Sequence, residues 1–181
     1  MKLYHVSKNN KNRDVIDMKT FVKNDMEFVG FLLDSVQEYN CFYHAYNSEF
    51  MQMCVERKGW SAEKIASEAV FEYIRKNDYT SSPSRLSYAY FTDSIEKAMS
   101  FNKEERENEG AYFVFEADEE KVYYYDMDLF DMAVRILEND KLTENSFRKI
   151  NDIAKKYWLG SKEGNTEILY KGNPVLEKVG I

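Results

Sequence analysis

Cysteine, proline, histidine and tryptophan are all scarce, with two of each in 181 residues. Cys41 and Cys54 both fall in a helical-looking stretch, and two thiols cannot build a disulfide framework or a zinc knuckle. Two prolines and 7 glycines leave no linker-like segment. No run approaches the roughly 20 apolar residues that a membrane span needs. The opening Met1-Lys2-Leu3-Tyr4-His5 passes straight into a strand-like pattern without an apolar signal core. The expected location is therefore cytoplasmic and reducing. Positive charge is in deficit as well: 25 Lys and Arg face 32 Asp and Glu, a net charge of −7. That balance argues against a protein held to nucleic acid by phosphate contacts alone.

The chain does have core-forming material. It is 44% hydrophobic and 31% charged, which excludes general disorder. Aromatics are plentiful, with 14 Tyr and 12 Phe, and the length suits one compact domain over residues 1–181. Leu3-Tyr4-His5-Val6 reads as a short strand. Phe28, Phe31, Leu32, Val36 and Tyr39 recur at helical spacing, as do Tyr46, Phe50, Met53 and Cys54. Gly59 punctuates, and Ser61 can cap a third helix that buries Ile65, Ala69, Val70, Tyr73 and Ile74. Residues 26–76 thus form a helical block.

Past Tyr79 the pattern changes. Thr80-Ser81-Ser82-Pro83-Ser84 signals a loop, Leu86–Phe91 a strand, and Thr92 or Asp93 the cap of a short helix. Two strands follow, Ala111–Phe115 and Val122–Tyr125. Residues 129–157 return to helix, with Phe147, Ile150, Ala154 and Tyr157 on one stripe. Thr166–Tyr170 and Val175–Val179 read as strands joined in a hairpin around Gly172-Asn173-Pro174. Without regular strand–helix alternation, the fold class is α+β.

Familiar chemical motifs fail. Neither G-x-G-x-x-G nor G-x-x-x-x-G-K-[ST] occurs. Asp126, Asp128 and Asp131 begin like a calcium loop, but Asp131 stands where the glycine belongs and Leu137 where the bidentate glutamate belongs. No metal is expected. What remains is three polar residues on short strands: His5 in Tyr4-His5-Val6-Ser7, Tyr90 in Tyr90-Phe91-Thr92-Asp93, and Glu167 in Asn165-Thr166-Glu167-Ile168-Leu169-Tyr170.

In that order, the three segments resemble the His-Tyr-Glu branch of the ADP-ribosyltransferase superfamily, which includes the poly-ADP-ribose polymerase catalytic domains. Family members carry Tyr/Trp-His-Gly-Ser/Thr on a first strand, then Ile-Tyr-Phe-Ala-Asp running into a Lys-containing helix, and last a strand such as Asn-Glu-Tyr-Ile-Val-Tyr. Lys97-Ala98 follows the second segment here, and the matches span residues 4–170. A further match is Phe101, eleven residues after Tyr90, where the family places a second aromatic.

The resemblance implies two small, mostly antiparallel sheets with the helical block 26–76 inserted after the first strand. It implies NAD as substrate, cleaved at the nicotinamide–ribose bond, with ADP-ribose passed to an acceptor that the sequence leaves open: protein, nucleic acid or small molecule. Glu167 would stabilise the positive charge on the ribose. His5 would bond the adenosine-side ribose, Tyr90 would stack on the nicotinamide with Phe101 opposite, and the Val6 backbone would pair with the carboxamide. Ser7 would add a contact there. Arg85, just ahead of the tyrosine strand, is a candidate for the pyrophosphate because a guanidinium fork matches phosphate oxygens.

Three positions depart from the family. Val6 replaces its glycine, adding bulk near the amide; Ala98 replaces a serine; and Asn165 stands where arginine-modifying members carry Glu or Gln. Two alternatives stand beside the enzyme: a non-catalytic interaction module on the same scaffold, and an RNA 2′-phosphotransferase, which the acidic charge disfavours.

Overall fold

Strands rich in aromatic and aliphatic residues precede, separate and follow the helical segments along the chain, and a computed structural model describes residues 1–20 and 24–180. In chain order, β1 (Lys2–Ser7) and β2 (Val15–Asp17) precede α1 (Met26–Leu33), α2 (Tyr39–Tyr46), α3 (Glu49–Lys58) and α4 (Ala62–Asp78). Then come β3 (Tyr90–Phe91), α5 (Ile95–Arg106), β4 (Ala111–Glu116) and β5 (Val122–Asp126). The chain ends with α6 (Met127–Asp140), α7 (Glu144–Trp158), β6 (Thr166–Tyr170) and β7 (Val175–Val179). The fold is α+β with two small antiparallel sheets, in the orders β1-β4-β7-β2 and β3-β6-β5. Among the described residues, no helix is long and apolar enough to cross a membrane.

Contacts divide the chain into two compact units. The sheet unit comprises Met1–Lys23, Tyr88–Tyr124 and Glu167–Ile181, and the helical unit Asn24–Ser87 and Tyr125–Thr166. The expected block over 26–76 therefore shares its unit with a second helical segment far along the chain.

In the sheet unit, alternation sends Leu3, Phe91, Phe113, Phe115, Ile168, Tyr170 and Leu176 into one core. Phe91 and Phe115 meet edge-on at 5.2 Å between ring centroids, and Phe115 and Tyr170 at 4.9 Å. Each such pair contributes about 0.5–1.5 kcal/mol beyond the area it buries.

The hairpin expected around Gly172-Asn173-Pro174 is absent, because β6 pairs with β3 and β7 with β4, in different sheets. Ile168, Tyr170 and Leu176 feed the same core from two sheets, so the turn serves as a crossover. Gly172 permits it: a Cβ there would fall 2.6 Å from the Tyr170 ring. The strand expected over Leu86–Phe91 is reduced to Tyr90–Phe91, since Ser87 N–H donates to the Ser84 carbonyl in a turn. Ser94, not Thr92 or Asp93, caps α5 by accepting from Lys97 N–H at 3.2 Å.

In the helical unit, Gly59 ends α3 in the left-handed conformation (φ 71°), and Ser61 caps α4 by accepting from Lys64 N–H. The helical stretch expected over 129–157 is present as two helices, α6 and α7. Lys141 takes a positive φ of 56°, and Thr143 and Ser146 form a capping box that starts α7. Phe147, Ile150, Ala154 and Tyr157 are buried on one face of α7, as their spacing requires. α4 is covered on more than one face, so Glu68 and Glu72 are buried as well as the apolar stripe, while Tyr73 is half-buried.

Candidate functional site

β1 begins as an ordinary ladder partner and ends as an edge. On one side it pairs with β4, in register Tyr4↔Val114 and Val6↔Tyr112. On the other, Tyr4 and Thr92 exchange both backbone hydrogen bonds at 2.9 Å. Continued antiparallel pairing would set Val6 against Tyr90. His5 interrupts it: its Nδ1–H donates to the Tyr90 carbonyl at 3.0 Å, using the acceptor that Val6 N–H would otherwise take. Alternate residues of a strand aim their N–H and C=O at the same edge, so Val6 aims both toward the side where Tyr4 meets Thr92. Beyond that bridge, Val6 presents one donor and one acceptor side by side.

The Tyr90 carbonyl can only accept, so Nδ1 of His5 carries the proton of this bond. The ring lies beside Phe91, 5.7 Å between centroids, on the face of β1 that also carries Leu3. His5 thus meets the main chain of Tyr90.

Tyr90 and Glu167 come together through sheet register. Tyr90 lies opposite Leu169 and Phe91 opposite Ile168. Phe91, Ile168 and Tyr170 face the core, so Tyr90, Leu169 and Glu167 share the other face of β3 and β6. Tyr90 and Glu167 are diagonal neighbours across two strands, a relation that puts Cβ atoms about 7–8 Å apart. Glu167 is 7% exposed. Tyr123 joins the same face: Lys171 N–H donates to the Lys121 carbonyl at 2.9 Å, which sets Tyr123 across from Leu169 on β5. Sequence reasoning missed Tyr123, because nothing local distinguishes it from Tyr124 and Tyr125.

Other expected site residues have definite partners. Ser7 is buried and its hydroxyl accepts from Asn10 Nδ2 at 3.0 Å. Phe101 is half-buried on α5 beneath the Arg106 guanidinium, whose Cζ is 5.2 Å from the ring centroid. The bulk expected of Val6 near the amide edge is directed elsewhere: Val6 Cγ1 occupies the space where residue 110 would carry a Cβ, and that residue is glycine.

Arg85 requires a correction. It is 3% exposed within the helical unit, and its fork bonds Glu68 at 3.1 and 3.2 Å while Nη1 donates to the Tyr157 hydroxyl at 2.9 Å. The Phe130 ring lies beneath it, 4.0 Å from Cζ. A guanidinium committed to a buried carboxylate and stacked on a ring is an internal strut, so the pyrophosphate role does not carry over.

Burial first, then Asp93 and Glu119, push the Tyr124 phenol up, keeping it a neutral hydroxyl. Its oxygen lies 3.2 Å from Met1 Sδ. A hydrogen bond and the charge of Lys8 hold Glu109 below the usual carboxylate range, with the pair 2.9 Å apart where β1 ends. Among the described residues, no three His, Cys, Asp or Glu side chains gather closely enough to hold a metal ion.

A strand edge offering an adjacent donor and acceptor, with a histidine on one side and an aromatic–carboxylate face on the next strands, suits a small planar amide attached to a polar body. A search of curated proteins finds no match to this chain. A family model described as "Protein of unknown function (DUF2441)" matches residues 2–179, and the chain belongs to that family.

Proposed function

We propose that this protein is an NAD-dependent ADP-ribosyltransferase. The observation that carries the reading is the interrupted ladder at Val6. Its N–H and C=O match the C=O and N–H of a primary carboxamide, which can bond both at once. The nicotinamide ring then lies toward Tyr90, whose face attracts a flat cation. His5 bonds a hydroxyl of the adenosine-side ribose. Glu167, on the face it shares with Tyr90, is directed to the nicotinamide-side ribose.

The reaction breaks the bond between ribose C1′ and the nicotinamide nitrogen. The electron pair leaves with nicotinamide, which departs neutral, and positive charge grows on the ribose ring. The Glu167 carboxylate stabilises that charge, a kind of electrostatic support worth about a hundredfold or more in rate. An oxygen or nitrogen nucleophile of the acceptor, or water, then bonds C1′ and gives up its proton. Phe101 on α5 is the second aromatic available to cap the ring.

The test is calorimetric titration with NAD, followed by chromatography of released nicotinamide. Saturable binding with slow release is expected, and Glu167→Ala should keep the binding and lose the release. No heat at millimolar NAD would overturn the reading in favour of a non-catalytic module.

A further inference from the structure

We propose that Asn102 and Gly110 position the Val6 edge for its carboxamide, an inference that rests on the NAD reading above. Four residues form a closed circuit. Gly110 N–H donates to Asn102 Oδ1 at 2.9 Å, and Asn102 Nδ2 donates back to the Gly110 carbonyl at 3.0 Å. The same Nδ2 donates to the Tyr112 hydroxyl at 2.8 Å, and Tyr112 is the register partner of Val6. Val6 closes the circuit by packing its Cγ1 into the space above Gly110.

Asn102 is 2% exposed, and both its amide hydrogens and its oxygen are engaged, so its orientation is fully determined. Val6 has a stiff, β-branched side chain and is itself 7% exposed. Neither neighbour can yield by rotating into solvent. The backbone of Val6 is paired only with β4 at this point, so the wedge of its side chain against Gly110 sets where its N–H and C=O lie. Asn102 and Gly110 touch no part of NAD in this scheme. They act through Val6, and the glycine displaced from position 6 of the motif has its counterpart at position 110.

A Cβ at residue 110 would press on Val6 Cγ1 and lie 2.7 Å from Asn102 Oδ1. Gly110→Ala should therefore shift the Val6 main chain. Titration with two probes reads this out: nicotinamide, which carries the carboxamide, and ADP-ribose, which does not. Gly110→Ala is expected to weaken nicotinamide about tenfold, roughly 1.4 kcal/mol, and to leave ADP-ribose unchanged. The double variant Val6→Gly with Gly110→Ala, which removes the closer clash with Val6 Cγ1 and leaves only that with Asn102 Oδ1, should recover part of the nicotinamide affinity. Tyr112→Phe, which removes only a hydroxyl, should produce a smaller loss for nicotinamide alone and serves if Gly110→Ala does not fold. Equal losses for both probes, or no recovery in the double variant, would overturn the clamp and leave the NAD reading standing. Wild-type protein that binds neither probe would overturn both.

Discussion

The helical unit closes its buried charges on one another, whereas the sheet unit leaves polar groups at strand ends. On α4, Glu68 takes the fork of Arg85, while Glu72 takes Arg75 at 2.8 Å and the Ser84 hydroxyl at 2.9 Å. Those groups face each other inside a packed helical core and have nothing left to offer a ligand. In the sheet unit, His5 uses one nitrogen to end a ladder and Val6 holds two backbone groups at the edge so created. Buried charge by itself is thus a poor guide to a site in this protein.

Substitutions that separate activity from stability test the contrast. The largest effect is expected at Glu167. Glu167→Ala should lower nicotinamide release by about a hundredfold or more with NAD affinity nearly kept, measured by turnover and titration. A strong loss of binding with no separate loss in rate would place Glu167 among the structural carboxylates instead.

Arg85→Ala should do the reverse. It strands Glu68 in the helical core, at a cost of about 3–5 kcal/mol in urea unfolding, while the folded fraction binds NAD normally. Unchanged stability with weakened NAD binding would restore Arg85 to the site.

Trp158→Phe tests a neutral bond in the same unit. The indole N–H donates to the Phe71 carbonyl at 2.8 Å, and its loss, which leaves a buried carbonyl unpaired, should cost about 1–3 kcal/mol by the same unfolding measurement.

The smallest effect concerns Asp131. Burial, aided by Asp128 and opposed by Arg135 and Arg85, raises its folded-state pKa. A raised carboxylate pKa means that the native state holds the proton more tightly than the unfolded chain does. The charge is therefore unfavourable above the folded pKa, and that penalty disappears as pH falls below the unfolded value. Asp131→Asn should raise Tm slightly at neutral pH and flatten its dependence through that window. A lower Tm at neutral pH would mean that Asp131 contributes as an ion.

Much of the helical unit was legible because its determinants are local. The Ser61 cap, the Gly59 stop and the Phe147–Tyr157 stripe depend on residues within a few positions of one another. Elsewhere, local signals competed. Thr143 and Ser146 fix where the second helix of 129–157 begins, and a turn at Ser84–Ser87 shortened the strand before Tyr90. The likeness of residues 4–7, 90–93 and 165–170 to a known family singled out His5, Tyr90 and Glu167, whereas Arg85 was chosen by its nearness to the tyrosine strand, and its partners lie 17 and 72 residues away.

The sequence by itself determined the α+β class, the helical block with its caps and stripes, and the chemical types available to a site. Propensity, capping and alternation operate over a few residues, so a single chain displays them openly. Only the tertiary structure decided that β6 and β7 belong to different sheets, that Tyr90 and Glu167 share a face, and that the Val6 side chain fills the space left by Gly110. Register and packing are relations between distant segments, and a strand carries no mark of which partner will satisfy its edge.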